Sequence, residues 1–332
     1  LAVGGWADGY TNAVLRLLST PGGPRKGVIG PWGHAYPHVA SPGPAIDFIG
    51  LVGRWFDHWL RGVDTDVMRE PPVKFWVMGE NRWRTATNWP LPETRWTKLY
   101  LNSWERLSAE PFTAGSVDQF VPPDAFVQMP PSQTKTVQRL RYMTAPLPDD
   151  VLVAGPISLT LFAEIDQDDT NWFVILKDVG PDVSVMSVRE GERELPDNLP
   201  EREVTRGWLK ASLRATDPKR SKPWKPWHLL TRDSRKAVKP GEVNEYQIEV
   251  MATANMFRKG HRICVEIASM DLPTGVAGAA KGVAGPEFGS RSPGIHTIVF
   301  SPNPLCRESI RVGTGTPSRI MLTVAVEKFA AG

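Results

Sequence analysis

The chain has 332 residues, which is enough for two domains and a large hydrophobic core. Its 39 basic and 36 acidic residues leave a net charge of +3, which is too balanced to indicate binding to nucleic acid or to an anionic membrane. The sequence contains no apolar run of about 18 residues, so it predicts no membrane-spanning helix. Its two cysteines are too few for a disulfide scaffold and favour a cytoplasmic protein with buried thiols.

Residues 1–65 alternate between predicted strands and predicted helices. This alternation is typical of an α/β layer with a parallel sheet, and two strands are too few for a stable sheet. We therefore expect residues 1–65 to be the last part of a larger sheet. The predicted elements are a strand over 1–3, a helix over 10–18 with an apolar face of Val14, Leu17 and Leu18, a strand over 27–30, and a helix over 45–60 with an apolar stripe of Ile46, Ile49, Val52, Phe56 and Trp59 or Leu60, capped by Gly62.

From residue 70 onward the pattern changes to short β-branched and aromatic runs separated by Pro, Gly and Asp. Many short strands with turn residues between them predict a β-sandwich or jelly roll over residues 70–332. The polar segment 181–206 is predicted to be a long loop. The predicted strands are 73–78, 97–101, 159–163, 172–179, 246–252, 262–268, 296–300 and 320–326.

Two glycine-rich turns near the start of the chain each carry one chemically useful side chain. Gly4-Gly5-Trp6-Ala7-Asp8-Gly9 supplies a carboxylate, and Gly30-Pro31-Trp32-Gly33-His34 supplies an imidazole. Taken alone, Asp8 is typical of a turn residue that bonds its own backbone, and His34 of a core or capping histidine. Together they could be two-thirds of a nucleophilic triad, and their order, acid before base, is that of α/β-hydrolases.

These turns resemble the acid and histidine segments of the serine hydrolases grouped with cocaine esterase, α-amino-acid ester hydrolases and X-Pro dipeptidyl peptidases. The helix Trp55-Phe56-Asp57-His58-Trp59-Leu60-Arg61-Gly62 and the segments 154–156, 168–173, 207–214 and 257–263 resemble later parts of the same family. The resemblance implies that residues 1–65 are the C-terminal part of an α/β-hydrolase domain and that residues 70–332 are its jelly roll. It also implies that Asp8 is the triad acid and His34 the general base.

The family's nucleophile lies in a Gly-x-Ser-x-Gly elbow upstream of the acid, and this chain contains no such elbow. We therefore expect an upstream hydrolase segment, from the same gene or from a second chain, to supply the serine and the oxyanion donors. The chain alone is expected to be inactive. The complete enzyme would cleave an ester or an aminoacyl or X-Pro amide through an acyl-enzyme, and the sequence leaves open which.

The other candidate residues also have simpler interpretations. Tyr10 and Trp32 flank the two turns and either line a substrate pocket or pack beneath the loops. His34 and His38 have the spacing of a metal pair, but Pro37 disfavours a regular helix and no third ligand is evident, so we expect no metal and no cofactor. An exposed sheet edge and bare helix faces predict self-association or dependence on the upstream segment. The alternative function is a non-catalytic jelly-roll binding module or a degenerate hydrolase.

Overall fold

The computed structural model describes residues 1–20, 22–40, 43–102, 105–111, 124–129, 136–180, 201–270, 306–311 and 318–325. This part of the chain is mostly β-structure with two α-helices, α1 (Thr11–Ser19) and α2 (Phe48–Arg61), and two short 3₁₀ helices at Ala211–Leu213 and Arg232–Ser234. The strands are β1 (Ala2–Gly5), β2 (Gly27–Gly30), β3 (Val73–Val77), β4 (Arg82–Ala86), β5 (Thr94–Asn102), β6 (Arg106–Ser108), β7 (Asp124–Gln128), β8 (Arg139–Met143), β9 (Val151–Ile165), β10 (Asn171–Val179), β11 (Glu201–Lys210), β12 (Asn244–Phe257), β13 (Arg262–Ala268), β14 (Cys306–Ile310) and β15 (Arg319–Ala325).

The first sheet has the order β1-β2-β3-β4, with β1, β2 and β3 parallel and β4 antiparallel to β3. The parallel pairing predicted from the strand–helix alternation is therefore confirmed. The sheet continues to Ala86, past the division predicted between residues 65 and 70. The local pattern could not show this, because the buried alternation of Val73, Phe75 and Val77 suits a strand of either sheet. The division into a hydrolase part and a jelly roll stays a prediction.

Both predicted helices are present, with ends that differ by a few residues. The side chain of Asp47 accepts a hydrogen bond of 2.8 Å from the backbone N–H of Gly50, which satisfies a donor at the start of α2. Gly62 ends α2 in the left-handed conformation with φ of 68°, as the predicted cap requires.

The predicted apolar faces of the helices are only partly buried. In α1, Val14 is buried but Leu17 is 59% exposed. In α2, Leu51 is buried, whereas Ile49, Phe56 and Leu60 are exposed. The predicted apolar stripe of α2 is therefore largely exposed within the described residues. The periodicity identifies an amphipathic helix, but the position of the helix decides what its apolar face contacts.

The strands of the second sheet form a closed hydrogen-bonded ring. Its order is β12-β11-β10-β13-β8-β6-β5-β15-β9, and β9 pairs back with β12, while β14 and β7 continue outward from β9. The strands predicted over 97–101, 159–163, 172–179, 246–252, 262–268 and 320–326 overlap strands of this sheet, which confirms the predicted β-structure there. This order does not by itself show two separate packed sheets, so the jelly roll stays a prediction.

One strand of the ring lies where a loop was predicted. Residues 201–206 begin β11 and pair antiparallel with β10, so the prediction of a loop is wrong for them. The carboxylate of Glu201 forms ion pairs with Lys177 and Arg141, each at 2.7 Å. These contacts allow the polar residues 201–206 to lie in a sheet. Residues 181–200 and the predicted strand 296–300 lie outside the described residues.

The two sheets share a hydrophobic core. One buried cluster combines Trp6, Ile29 and Phe75 of the first sheet region with Ala254 and other residues of the second sheet. The backbone of Met78 bonds to both neighbours of Asn255 in β12, donating to Ala254 at 2.9 Å and accepting from Met256 at 2.7 Å. The first sheet is therefore held firmly against the ring. No helix in the described part of the chain is long and apolar enough to cross a membrane.

Candidate functional site

The two glycine-rich turns leave neighbouring parallel strands at the same edge of the first sheet. Gly5, the last residue of β1, pairs with Gly30, the last residue of β2. The alignment continues beyond the strands, where the Trp6 N–H donates to the Gly30 carbonyl at 2.9 Å and the Ala7 N–H donates to the Trp32 carbonyl at 3.0 Å. Side chains at the carboxyl ends of adjacent parallel strands are thereby brought together, which is where α/β folds place their sites.

Two glycines are required for this close approach. A Cβ atom at Gly5 would collide with the backbone carbonyl of Trp32, and a Cβ atom at Gly30 would collide with the indole of the same residue. Only glycine avoids both collisions, so the glycine-rich character of the turns follows from the short separation between them.

Asp8 and His34 are in direct contact. The Nδ1 atom of His34 lies 3.1 Å from Oδ2 and 3.3 Å from Oδ1 of Asp8. Oδ1 also accepts the backbone N–H of Tyr10 at 2.9 Å. The turn interpretation of Asp8 and its pairing with a histidine are therefore both correct, because one carboxylate makes both contacts. The side chain of Asp8 is 15% exposed and that of His34 is 63% exposed, so the carboxylate is held while the ring stays accessible.

This arrangement can take up and return a proton at one atom. A carboxylate bonded to Nδ1 favours the tautomer in which Nδ1 carries the proton, which leaves the Nε2 lone pair as the base. The same carboxylate stabilises the imidazolium formed when Nε2 is protonated. The pair has the geometry needed for general base and general acid catalysis.

The two aromatic residues that were predicted to flank the site differ in exposure and in surroundings. Tyr10 is 62% exposed and its ring centroid lies 5.6 Å from that of His34, so it remains a candidate for substrate contact. Trp32 is 1% exposed, its Nε1 donates to the Pro44 carbonyl at 2.8 Å, and its ring lies 5.8 Å from that of Trp83. This position favours the packing interpretation of Trp32.

A second Asp–His contact occurs in the ring and was not found from the sequence. Nδ1 of His261 lies 2.8 Å from Oδ1 of Asp178, and both residues are almost completely buried. Burial raises the pKa of Asp178, although the nearby Arg202 guanidinium opposes the shift. Because no substrate can reach this pair, we interpret it as part of the core. Strand spacing could not reveal it, because β10 and β13 place the two residues together across 83 positions.

His38, whose spacing from His34 suggested a metal pair, packs against an aromatic ring in the structure. The ring of His38 stacks on that of Phe48, with centroids 6.0 Å apart and an interplanar angle of 1°. Among the residues that the structure describes, no group of three or more His, Cys, Asp or Glu side chains is placed to hold a metal ion.

Comparisons with known proteins agree with this fold. The model of the X-Pro dipeptidyl-peptidase C-terminal non-catalytic domain matches residues 65–304. Cocaine esterase of Rhodococcus sp. (strain MB1 Bresler) is 26% identical over 310 residues, which cover 82% of this chain and 49% of that protein. The chain spans about half the length of the curated relatives it matches.

Solved structures resemble the chain over nearly its whole length. A CocE/NonD family hydrolase from Staphylococcus aureus has a TM-score of 0.70 at 17% identity, with 97% of this chain and 53% of that chain covered. An aminopeptidase from a marine sediment archaeon, Thaumarchaeota archaeon, has a TM-score of 0.64 at 20% identity, with 98% of this chain and 54% of that chain covered. At these identities the likeness concerns the fold.

Proposed function

The chain belongs to the family of the X-Pro dipeptidyl-peptidase C-terminal non-catalytic domain, and on this premise we propose that it is the C-terminal part of a serine hydrolase. Asp8 is the triad acid and His34 the general base of that enzyme. The substrate is an ester or an aminoacyl or X-Pro amide, cleaved through an acyl-enzyme. Hydrolysis as the class of reaction is supported by the similarity to cocaine esterase, to a solved CocE/NonD family hydrolase and to a solved aminopeptidase.

The contact between Asp8 and His34 carries the proposal. The carboxylate bonds to Nδ1 and leaves Nε2 for the reacting groups, which is the arrangement that acyl transfer needs. Both residues lie before residue 65, outside the segment matched by the model of a non-catalytic domain. The proposed chemistry therefore belongs to the first sheet, and the ring of strands, proposed here to be the jelly roll, would shape the site.

The serine and the oxyanion donors are proposed to come from the upstream hydrolase segment. The exposed apolar side chains of Ile49, Phe56 and Leu60 on α2 support this, since contiguous exposed apolar surface marks an interaction site. Without a nucleophile the general base has no hydroxyl to activate. Loss of a triad nucleophile costs on the order of a million-fold in kcat, so the isolated chain should be inactive.

The experiment compares the complete product of the gene that encodes this chain with the 332-residue chain alone. Both are assayed with p-nitrophenyl butyrate and with an X-Pro p-nitroanilide. We expect the gene product to hydrolyse at least one of them and His34→Ala to reduce kcat by about a million-fold. Folding of the variant is checked by circular dichroism and thermal denaturation.

Two results would refute the proposal. One is hydrolysis by the 332-residue chain alone at a rate that His34→Ala abolishes, because the nucleophile would then lie within the chain. The other is a gene product whose hydrolysis does not change in His34→Ala. The relative rates on the two substrates decide between esterase and peptidase.

The family description favours a second candidate, a binding module without catalysis, because it names a non-catalytic domain for residues 65–304. On this alternative Asp8 and His34 are remnants of a lost site. A gene product that hydrolyses neither substrate, yet is folded and monodisperse, would support the second candidate over the first.

A further inference from the structure

A cavity of about 400 Å³ lies between α1 and the strands β11 and β12. Neither Asp8, Tyr10 nor His34 lines it. Its lining combines apolar side chains with polar and charged ones, and small-molecule sites likewise combine an apolar lining with polar groups. The lining includes Asn171, Trp208, His228, Leu213, Leu230 and Met251.

Asn171 is the first unusual feature of this cavity. The residue is 1% exposed, and neither Oδ1 nor Nδ2 of its carboxamide has a hydrogen-bond partner among the residues that the structure describes. A buried amide without partners destabilises a fold, so natural proteins rarely retain one without a reason. Here both ends of the amide are unpaired and the residue borders a cavity.

His228 adds a second polar atom to the same cavity. Its Nε2 is buried and also has no partner within the described part of the chain. Burial lowers the pKa of His228, although a hydrogen bond with the backbone of Gln247 opposes the shift. Because that bond involves the other ring nitrogen, Nε2 of the neutral imidazole remains as a hydrogen-bond acceptor.

The charged groups beside the cavity are already paired. Arg16 contacts Glu249 at 3.0 Å, and Lys210 contacts Asp169 at 3.0 Å. The cavity therefore offers no isolated charge to an ion from these four groups. An uncharged ligand suits a cavity whose neighbouring charges are paired, because it need not displace an existing ion pair.

The apolar side chains of the lining, called here the apolar wall, include two that are exposed. Leu230 is 64% exposed and has a left-handed backbone with φ of 51°, which is unfavourable for a residue with a branched side chain. Trp208 is 38% exposed, on the outward face of β11. Together with Leu213 and Met251 these side chains form an aliphatic and aromatic surface suited to an apolar group.

We propose that this cavity binds an uncharged amide with an apolar substituent, such as one apolar residue of a short extended peptide. Because the amide atoms of Asn171 and Nε2 of His228 have almost no accessible surface, both side chains turn toward the cavity when the ligand enters. The carboxamide of Asn171 then donates to the C=O and accepts from the N–H of the same peptide residue. Nε2 of His228 can accept a further N–H, and the apolar wall receives the side chain. The inference stands independently of the proposed hydrolase function, because it uses none of the same residues.

The test is calorimetric titration of the complete product of the gene that encodes this chain with N-acetyl-L-leucinamide. We expect saturable binding at one site. Asn171→Leu removes both amide groups at similar volume and should weaken binding about tenfold or more, since two hydrogen bonds are lost. The same variant should melt no lower than the wild-type chain, because it removes an unpaired buried amide.

His228→Phe provides a second variant, in case Asn171→Leu does not fold, and it should also weaken binding. His38→Gln is the matched control and should bind like the wild type, because His38 is exposed and does not line the cavity. The acidic analogue N-acetyl-L-glutamic acid α-amide should bind more weakly than the leucine amide. The proposal is wrong if no saturable binding occurs, if both site variants bind like the wild type, or if glucose binds and the leucine amide does not.

Discussion

Replacing Asp8 by asparagine in the complete gene product tests the site with the smallest possible change. The substitution keeps the shape of the side chain and replaces one oxygen by an NH₂ group. In the structure Oδ1 accepts the backbone N–H of Tyr10 at 2.9 Å, so the asparagine oxygen must stay there to avoid two facing donors. The NH₂ group then takes the place of Oδ2, which lies 3.1 Å from Nδ1 of His34.

At that position the NH₂ group donates to Nδ1, so Nδ1 must be the unprotonated ring nitrogen. The proton then resides on Nε2, which can no longer act as a base. A change of this kind lowers kcat by about 10⁴-fold, or about 5 kcal/mol of transition-state stabilisation. Thermal stability should change little, because the turn keeps its hydrogen bond from Tyr10.

The assay measures kcat and KM for ester or amide hydrolysis by the wild-type product and the Asp8→Asn variant. Asp149→Asn is the matched control, because Asp149 is exposed and far along the chain from both turns. We expect Asp149→Asn to leave kcat unchanged. If Asp8→Asn lowers kcat less than about tenfold while His34→Ala abolishes activity, Asp8 does not orient the base and the reasoning fails.

Three further changes test the packing around the site and the core. Gly5→Ala forces a methyl group against the neighbouring backbone carbonyl, so we expect a lower melting temperature and lost activity; an unchanged melting curve would contradict this. Glu70→Gln leaves the buried ammonium of Lys26 without its carboxylate and should lower the melting temperature at pH 7. Although burial opposes it, pairing with Lys26 and a neighbouring arginine lowers the pKa of Glu70. Its contribution to stability is therefore present above the ordinary value of 4.5 and lost as the pH falls through the lowered pKa, and Glu70→Gln should remove this acid dependence of the melting temperature. Burial, together with a nearby carboxylate, raises the pKa of Cys264 to about 12. In a Cys306→Ser chain, iodoacetamide at pH 8 should label Cys264 only after denaturation, and rapid labelling of the native chain would show that the thiol is accessible.

Local signals in the sequence pointed to Asp8 and His34 as a candidate pair, and the family resemblance implied their roles as acid and base. The turns around Asp8 and His34 have glycines where the backbone must approach closely, and the order of acid and base is visible along the chain. The strand–helix alternation before residue 65 was sufficient for the parallel pairing of β1 with β2. These features depend on backbone geometry within a few residues, so a single sequence can show them.

Burial was decided by contacts between distant segments. Trp32 and Tyr10 look alike as neighbours of the two turns, yet one is buried and the other exposed. The same is true of the accessible His34 and the buried His261, each beside an aspartate. No local pattern distinguishes these pairs, because the exposed fraction of a side chain depends on which sheet or helix covers it.

The sequence by itself determined the parallel start of the fold, the β-rich remainder and the two residues proposed for proton transfer. The tertiary structure decided that His34 meets Asp8 through Nδ1, that β3 and β4 extend the first sheet, and that Asn171 and His228 border one cavity. The physical reason is the distance along the chain over which each kind of interaction acts. Turn chemistry and periodicity act over a few residues, whereas pairing registers and cavities arise only when strands far apart in the chain pack together.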